Sequence, residues 1–325
     1  MEYTARMVKP VMSVVWAAVA TLAISAAVAG DGSSQAVDPS VRYLGQSPPG
    51  TTPARFAPGI VSTPAIEINA AFRPDFKEFF FARQVDGVFT LFRSTLSGRQ
   101  WSKPEALQIY PTGGPGMAVD MAYSPDGREL YFLGRFKPGV PQAEAPQDIW
   151  VIRQRDGRWS NAELVGPPVS TDANESYPSV VADGSLYFTS NRPGGLGLTD
   201  IYRAQRLSDG RFDTPVNIGS PPNSDRAEGD TFVSPDEQYL IFMSVRPGGF
   251  GRGDLYVSFR SGSTWGTPIN LGPSINTADV DFCPMVTPDG KYLFFSRRYG
   301  EGGWDTTTDA DVFWVDIDVV KRLRK

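Results

Sequence analysis

The stretch "SPDGRELYF", residues 124 to 132, is one copy of a pattern in which a Pro-Asp-type turn leads directly into an aromatic strand. Four similar stretches occur along the chain: "RPDFKEFFF" (73–81), "VADGSLYF" (181–188), "SPDEQYLIF" (234–242) and "TPDGKYLFF" (287–295). Their aspartates recur at intervals of 51, 57, 53 and 53 residues, at Asp75, Asp126, Asp183, Asp236 and Asp289. A fixed period of this length indicates a repeated structural unit.

Each copy contains further strand signals around this marker. A third strand opens with Asp in four copies, as in "DIYRA" at Asp200 and "DLYVS" at Asp254, whereas the first copy has "TLFRS" from Thr90. A fourth strand follows in four copies, as in "WSKPEAL" and "WGTPINL". Four short strands per unit, separated by turns, predict an all-β fold that is a five-bladed β-propeller.

The last copy ends after its third strand, near Ile317, so its outer strand must come from elsewhere. The segment "APGIVST", residues 57–63, resembles the ends of two fourth-strand segments, "VGPPVST" (165–171) and "LGPSINT" (271–277). We therefore predict that this N-terminal segment completes the last blade and closes the ring. Closure of this kind covers an otherwise exposed sheet edge.

The N-terminus has the features of a secretory signal. Arg6 and Lys9 precede a long apolar stretch, and "AVA" at residues 27–29 provides small residues for cleavage. We predict a signal peptide at 1–29, a Gly/Ser/Pro-rich arm at 30–53 that buries little apolar surface, and the propeller at 54–325. The mature protein would be periplasmic or secreted, without stable membrane insertion; an uncleaved anchor is the alternative.

Composition excludes several kinds of function. The net charge is −5, which disfavours nucleic acid as a partner because phosphate binding needs a clustered basic face. The chain has no histidine, so Ser-His and Cys-His nucleophile pairs and His-ligated metal sites are excluded. Its one cysteine, Cys283, cannot form an intramolecular disulfide, and "DFCPM" predicts that this residue is a small core side chain.

Two glycine-rich stretches are nearly identical, "SNRPGGLGLTDIY" (190–202) and "SVRPGGFGRGDLY" (244–256). A phosphate-binding loop would need a helix behind it, but strand formers follow both stretches. We predict that each makes the hairpin between the second and third strands of a blade. Asp200 and Asp254 should accept hydrogen bonds from the backbone of that turn.

The repeats together resemble the WD40-like Pro-Asp repeats of bacterial propellers, known from TolB-type periplasmic proteins. The resemblance rests on the Pro-Asp turn, the aromatic strand, "RPGG" and the "D[IL]Y" third strand, and covers residues about 57 to 318. It implies a propeller in the cell envelope that is used mostly for binding. The chain lacks the N-terminal α/β domain of TolB, so the resemblance does not extend to a role in the Tol–Pal system.

Carboxylates recur eight residues before the marker aspartate, where the innermost strand begins. They are Glu67, Glu175, Glu228 and Asp281, with Asp120 and Asp230 two positions further along their strands. Inner strands line the channel of a propeller, so these residues predict a ring of acids at one mouth. Such a ring could supply the two catalytic carboxylates of a glycosidase or bind a hard cation such as Ca²⁺.

Arginines recur in the same register, after each second strand, at Arg83, Arg135, Arg192, Arg246 and Arg298, with Arg297 beside the last. This second pattern favours a structural alternative, in which acid–arginine pairs tie the blades together. Asp120 and Asp230 are the acids most apt to escape such pairing. With Tyr177 and these arginines, they are our candidate ligand-binding residues at the mouth.

The stretch "RRYGEGGWDTTTDAD", residues 297–311, is a long polar hairpin. Trp304 could stack on a sugar, and Asp305, Asp309 and Asp311 are candidate ligands for Ca²⁺. Packing of Trp304 on the blade is the structural alternative.

These features predict a monomeric, exported binding module that uses its channel mouth for a protein or glycan partner in the envelope. No complete catalytic set is present, and no cofactor is implied beyond the possible Ca²⁺. The alternative is a carboxylate-dependent, glycosidase-like enzyme active on glycans.

Overall fold

The computed structural model describes residues 36–110, 116–300 and 309–324. These residues form five antiparallel sheets that follow one another along the chain. Each sheet begins with an inner strand and continues outward through second, third and outer strands. The prediction of an all-β five-bladed propeller is therefore confirmed.

The strands of each blade are given from the inside outward. Blade 1 contains Glu67–Phe72, Glu78–Val85, Val88–Ser97, Gln100–Trp101 and Glu105–Ala106. Blade 2 contains Met117–Tyr123, Glu129–Arg135, Gln147–Arg155, Arg158–Trp159 and Glu163–Leu164. Blade 3 contains Glu175–Val180, Leu186–Ser190, Asp200–Ala204 and Val216–Asn217. Blade 4 contains Glu228–Val233, Tyr239–Ser244, Asp254–Ser261, Thr264–Trp265 and Ile269–Asn270. Blade 5 contains Val280–Val286, Tyr292–Arg298, Ala310–Asp316 and, from the N-terminal segment, Ala54–Arg55.

In the part of the chain that the structure describes, helical structure is confined to short segments. One α-helical turn spans Asp318–Lys321, and 3₁₀ turns span Pro39–Val41, Tyr43–Gly45 and Gln142–Glu144. Within the described ranges, no helix is long and apolar enough to cross a membrane.

The core lies between neighbouring blades, because the second strands are buried on both faces. Phe79 to Ala82 are fully buried, and Phe80 packs with Leu130 and Phe132 of blade 2 in one apolar cluster. Aromatic and β-branched residues suit such strands because their side chains fill the space between stacked sheets. The repeated aromatic strand thus supplies the packing that joins the blades.

Ring closure occurs as predicted by an N-terminal strand, but that strand lies upstream of residues 57–63. Ala54 pairs with Trp314, Arg55 pairs with Phe313, and the Phe56 amide donates to the Val312 carbonyl over 2.8 Å. Residues 57–63 instead turn the chain, and the Val61 amide donates to the Ala57 carbonyl over 2.9 Å. The matching "VGPPVST" likewise follows the outer strand Glu163–Leu164, so the motif marks the exit from an outer strand.

Part of the predicted arm is packed against the propeller. Tyr43 and Leu44 are buried in the cluster that contains Phe56 and Trp314, and the Tyr43 hydroxyl donates to Asp289 over 2.5 Å. The Trp101 indole N–H donates to the Val41 carbonyl over 2.7 Å. The expectation that this segment buries little apolar surface is wrong, because its few apolar residues are concentrated at 41–44. Removal of residues 30–53 would therefore take away part of the core.

The two glycine-rich stretches form the predicted hairpins between second and third strands. Gly194 and Gly248 adopt φ of 90° and 88°, a region that favours glycine. The Asp254 carboxylate accepts from the amides of Phe250 and Gly251 over 2.6 and 2.9 Å, and Asp200 accepts from the Leu196 amide. Both aspartates therefore hold the turn as predicted.

The third glycine of each stretch, Gly197 or Gly251, lies against the segment that leads into the next blade, which makes a substitution there costly. A Cβ atom at Gly251 would lie 2.1 Å from the Thr277 carbonyl oxygen, so backbone must shift to accept it. We expect Gly251→Ala to lower the free energy of unfolding by about 1–3 kcal/mol, the usual cost of overpacking. Gly50→Ala is the matched control, since a Cβ there meets nothing within 4 Å. Urea denaturation of both variants tests this, and equal midpoints would contradict it.

Candidate binding site in the propeller channel

One position of every inner strand has the same unusual backbone conformation. Each inner strand has a break in register that marks a β-bulge, and each bulge contains a residue with positive φ. These residues are Asn69 (φ 62°), Asp120 (56°), Tyr177 (52°), Asp230 (48°) and Cys283 (50°). All five line a small cavity in the channel, and we refer to them as the collar.

The side chains at three collar positions suit the left-handed backbone. Asn and Asp tolerate positive φ better than other non-glycine residues, which accounts for Asn69, Asp120 and Asp230. Tyr177 and Cys283 are uncommon in this region, and such outliers concentrate at functional sites. The repeated bulge directs one side chain per blade toward the channel.

Hydrogen bonds connect several members of the collar. The Asn69 amide group donates to Asp120 Oδ1 over 3.0 Å, and the Asp120 backbone N–H donates to Asn69 Oδ1 over 2.9 Å. The Cys283 thiol donates to Asp230 Oδ1 over 3.1 Å and lies 3.5 Å from Asp120 Oδ1. The second oxygens of both carboxylates, Asp120 Oδ2 and Asp230 Oδ2, are buried without a hydrogen-bond partner among the described residues.

Burial and mutual repulsion disfavour the charged forms of the collar acids. Burial raises the pKa of Asp120 well above its usual range, and the Asp230 charge raises it further. Burial raises the pKa of Asp230 to about 7. Burial, together with the two carboxylates, also raises the pKa of the Cys283 thiol. The collar is thus a buried acidic cluster that a positive charge would stabilise.

The collar separates two wider parts of the channel. On the side where the inner strands begin lies a cavity of about 480 Å³, which we call the vestibule. Its walls include Ile68, Phe89, Met117, Arg135 and Gln147, and Asp120 and Tyr177 lie at its floor. The cavity at the collar itself is about 30 Å³, and a mainly apolar cavity of about 200 Å³ lies on the other side. The vestibule is the part with room for an organic ligand.

The acids that begin the inner strands do not form an open ring at the mouth. Four of them are fully buried, and each contacts an arginine in the second strand of its blade or just beyond the end of that strand. The pairs are Glu67–Arg83 (2.7 Å), Glu175–Arg192 (3.1 Å), Glu228–Arg246 (3.2 Å) and Asp281–Arg297 (2.7 Å). Acids and arginines are therefore paired in four blades as the structural alternative predicts, but each pair lies within one blade and does not itself join two blades.

Each of these arginines also holds the segment that leads into its own blade. Arg246 donates to the Pro222 carbonyl over 2.6 Å, and Arg192 and Arg297 donate to Val169 and Ile275 in the same way, each over 2.7 Å. The arginine stacks on aromatic rings of its blade as well, as Arg246 does on Phe242 and Tyr256. We call this unit the staple.

Two of the predicted arginines differ from the pattern. In blade 5 the staple is made by Arg297 and not by Arg298. In blade 2 the corresponding acid position is Ala118, and Arg135 donates to Gln147 Oε1 over 2.8 Å at the vestibule wall. Arg135 is therefore the predicted arginine that remains a candidate for ligand binding.

The candidate Ca²⁺ ligands of the last hairpin are only partly within the described structure. Asp311 is buried and pairs with Arg55 over 2.9 Å. Asp309 lines a surface cavity together with Asp311 and Arg55. Trp304 and Asp305 lie outside the described residues, so their roles in sugar or Ca²⁺ binding stay predictions.

Two collar residues were not identified from the sequence as site candidates. Asn69 was not considered, and Cys283 was expected in the apolar core. Cys283 is buried, but it faces two carboxylates in the channel. The sequence contains a pattern that identifies both residues, because the five collar residues recur at the same intervals of 51, 57, 53 and 53 residues as the marker aspartates.

Comparison with known proteins supports the fold. No family model matches the sequence, and no curated protein matches it. An α-L-arabinofuranosidase from Lactobacillus brevis is similar in structure, with a TM-score of 0.51 and 14% sequence identity over 79% of this chain and 92% of that one. TolB from Acinetobacter baumannii gives a TM-score of 0.47 at 14% identity, over 79% of this chain and 58% of that one. A GH43 endo-arabinanase from Bacillus licheniformis gives 0.46 at 14% identity, over 79% and 94%.

The fold and the channel define the protein as a five-bladed β-propeller. At 14% identity the arabinofuranosidase supports this fold and nothing further. The chain spans 58% of the length of TolB. Because no family model matches the sequence, membership of the WD40-like Pro-Asp repeat family stays a prediction.

Proposed function

We propose that the protein is an exported binding module of the cell envelope and that its vestibule holds a segment of a protein partner. The observation that carries this proposal is the vestibule itself, a cavity of about 480 Å³ at one mouth, closed below by the collar. Its volume falls within the range of about 300–1,000 Å³ that is usual for ligand sites. The signal-like residues 1–29 support export.

The vestibule walls suit a peptide better than a sugar. Ile68, Met117, Leu133 and Phe282 form an apolar surface that could hold one anchoring side chain. Gln84, Gln142 and Gln147 add amide groups, which can both donate to and accept from a peptide backbone. This combination of apolar side chains with amide groups is the basis on which we favour a peptide over a glycan.

Exposed apolar side chains also lie at this end of the propeller, on the hairpins of other blades. In blade 4, Glu228 pairs with Ser244 and Ser244 pairs with Asp254, so the hairpin lies beside the start of the inner strand. The hairpins of blades 3 and 4 expose Leu196, Leu198 and Phe250, which are 54%, 72% and 49% exposed. Large apolar groups exposed near a cavity are typical of interaction surfaces.

The carboxylates do not offer the geometry of a glycosidase. Four are held in staples, and the two that are not, Asp120 and Asp230, place oxygens within 4.8 Å of each other. A glycosidase, whose carboxyl groups lie about 5–5.5 or 6.5–9.5 Å apart, also needs room for a sugar ring between them. The collar cavity of about 30 Å³ has no room for such a ring. These observations favour binding over hydrolysis.

Site-specific photocrosslinking in cells tests this proposal. A photoreactive amino acid at Ala143, on the vestibule wall, should give a protein adduct in the envelope fraction. The same residue at Arg128, an exposed position in the turn at the opposite end of blade 2, is the matched control and should give none. With the crosslinked partner purified, Phe89→Ala should weaken its binding about tenfold or more, the loss expected for an aromatic anchor.

Three results would contradict the proposal. Equal adducts from both positions would remove the vestibule as the site. An adduct with a glycan in place of a protein would show that the partner is a glycan. Turnover of an oligosaccharide by the purified protein, abolished by Asp120→Asn, would favour the enzyme.

A further inference from the structure

We propose that Asp120, Asp230 and Cys283 of the collar together bind one divalent transition-metal ion of the zinc type. One ligand atom from each residue lies within 4.8 Å of the others, and all three side chains are buried. The three residues come from three different blades, so the ion would lie on the channel axis. This proposal does not depend on the peptide-binding function of the vestibule.

The distances within the cluster suit a tetrahedral ion. Cys283 Sγ lies 3.1 Å from Asp230 Oδ1 and 3.5 Å from Asp120 Oδ1. Zinc bonds of about 2.3 Å to sulfur and about 2.0–2.2 Å to oxygen place adjacent ligands about 3.6 Å apart. Both sulfur–oxygen distances are close to that spacing, and an oxygen of each carboxylate lies within 4.8 Å of the other.

The unsatisfied oxygens independently indicate a ligand. Asp120 and Asp230 are only 8% and 3% exposed, and the Oδ2 atom of each has no hydrogen-bond partner within the described ranges. Leaving a buried carboxylate oxygen without a partner is costly. Both side chains line the collar cavity of about 30 Å³, which has room for a single ion or water molecule.

Asn69 orients one of the proposed metal ligands, Asp120. Its side-chain amide donates to Asp120 Oδ1, and its carbonyl oxygen accepts the Asp120 backbone N–H. These two bonds hold the carboxylate in place and leave Oδ2 without a hydrogen bond among the described residues. Metal ligands are commonly oriented by outer hydrogen bonds of this kind.

The thiol determines the class of metal. Calcium prefers six to eight oxygen ligands, whereas a thiolate with two carboxylates suits Zn²⁺ or Co²⁺. The Ca²⁺ expected from the acidic ring is therefore replaced in this proposal by a softer ion. The fourth position faces the vestibule, where a water molecule can complete the tetrahedron.

Metal titration of the purified mature protein tests the site. After treatment with a chelator, Co²⁺ should produce a thiolate-to-cobalt charge-transfer band, and calorimetry should show one Zn²⁺ per chain bound more tightly than Ca²⁺. Cys283→Ser and Asp230→Asn should each weaken Zn²⁺ binding beyond the about 10- to 100-fold losses caused by changes to outer hydrogen bonds. Asp213→Asn, at an exposed aspartate, is the matched control and should bind Zn²⁺ like the parent protein.

Measurements on the unsubstituted protein test the site even if a variant fails to fold. Zn²⁺ should protect Cys283, the one thiol of the chain, from modification by a thiol reagent, and should raise the melting temperature through linkage. The proposal is overturned if Zn²⁺ neither binds nor protects Cys283. It is also overturned if folded Cys283→Ser and Asp230→Asn bind Zn²⁺ with unchanged affinity, or if Ca²⁺ binds more tightly.

Discussion

Phe56→Ala is expected to destabilise the protein by about 3–5 kcal/mol, the usual cost of truncating a buried phenylalanine. Phe56 is fully buried, and its ring packs edge-on against Phe72, Phe79, Phe294 and Trp314. These contacts join the first and last blades, so the cavity would open at the seam of the ring. Urea denaturation monitored by circular dichroism measures the effect.

Phe250→Ala is the matched control for the seam. It removes the same side chain from a hairpin where Phe250 is half-exposed, so the change in unfolding free energy should stay within about 0.5 kcal/mol. If the two variants unfold at the same urea concentration, the packing of the N-terminal segment does not hold the ring closed.

The second large effect is expected at a staple. Arg246→Met should destabilise the protein by about 3–5 kcal/mol, because it leaves the Glu228 carboxylate buried without its cation. Glu228 would keep the hydrogen bonds from the Ser224 amide and from the hydroxyls of Ser224 and Ser244. Those neutral donors do not replace the charge, and the Pro222 carbonyl loses its donor as well.

Two further variants distinguish a staple from an ordinary surface pair. Arg211→Met removes an exposed arginine from its pair with Asp209 and should change the unfolding free energy by less than about 1 kcal/mol. Adding Glu228→Gln to Arg246→Met should recover part of the loss, since the unpaired charge is then gone. A single Arg246→Met variant as stable as Arg211→Met would show that the staple contributes nothing beyond a surface contact.

The sequence predicted the features that depend on repeat register. Five aromatic strands at a nearly constant period were sufficient to predict the number of blades. Acids that recur in register with arginines were sufficient to predict the staples. The closing strand was placed a few residues too far along the chain. Residues 57–63 match other segments in sequence, but those segments begin where an outer strand ends.

The collar was only partly predictable because a bulge changes which side a residue faces. In a regular strand every second residue faces the same side of the sheet. The extra residue in each inner strand interrupts this alternation. Asp120, Tyr177 and Asp230 were proposed as mouth residues, whereas Asn69 and Cys283 were not. The assignment of Arg298 failed for a similar reason, since neighbouring residues of a strand face opposite sides.

Ring closure also constrains the order in which the chain can fold. Ala54 is synthesised well before its partner Trp314, which lies far along the chain. The first blade must therefore wait, with its aromatic seam uncovered, until blade 5 has formed. Pairings between distant parts of a chain are slow, and exposed apolar intermediates aggregate. The interval between the synthesis of the first blade and ring closure is thus the stage at which a chaperone would protect this protein.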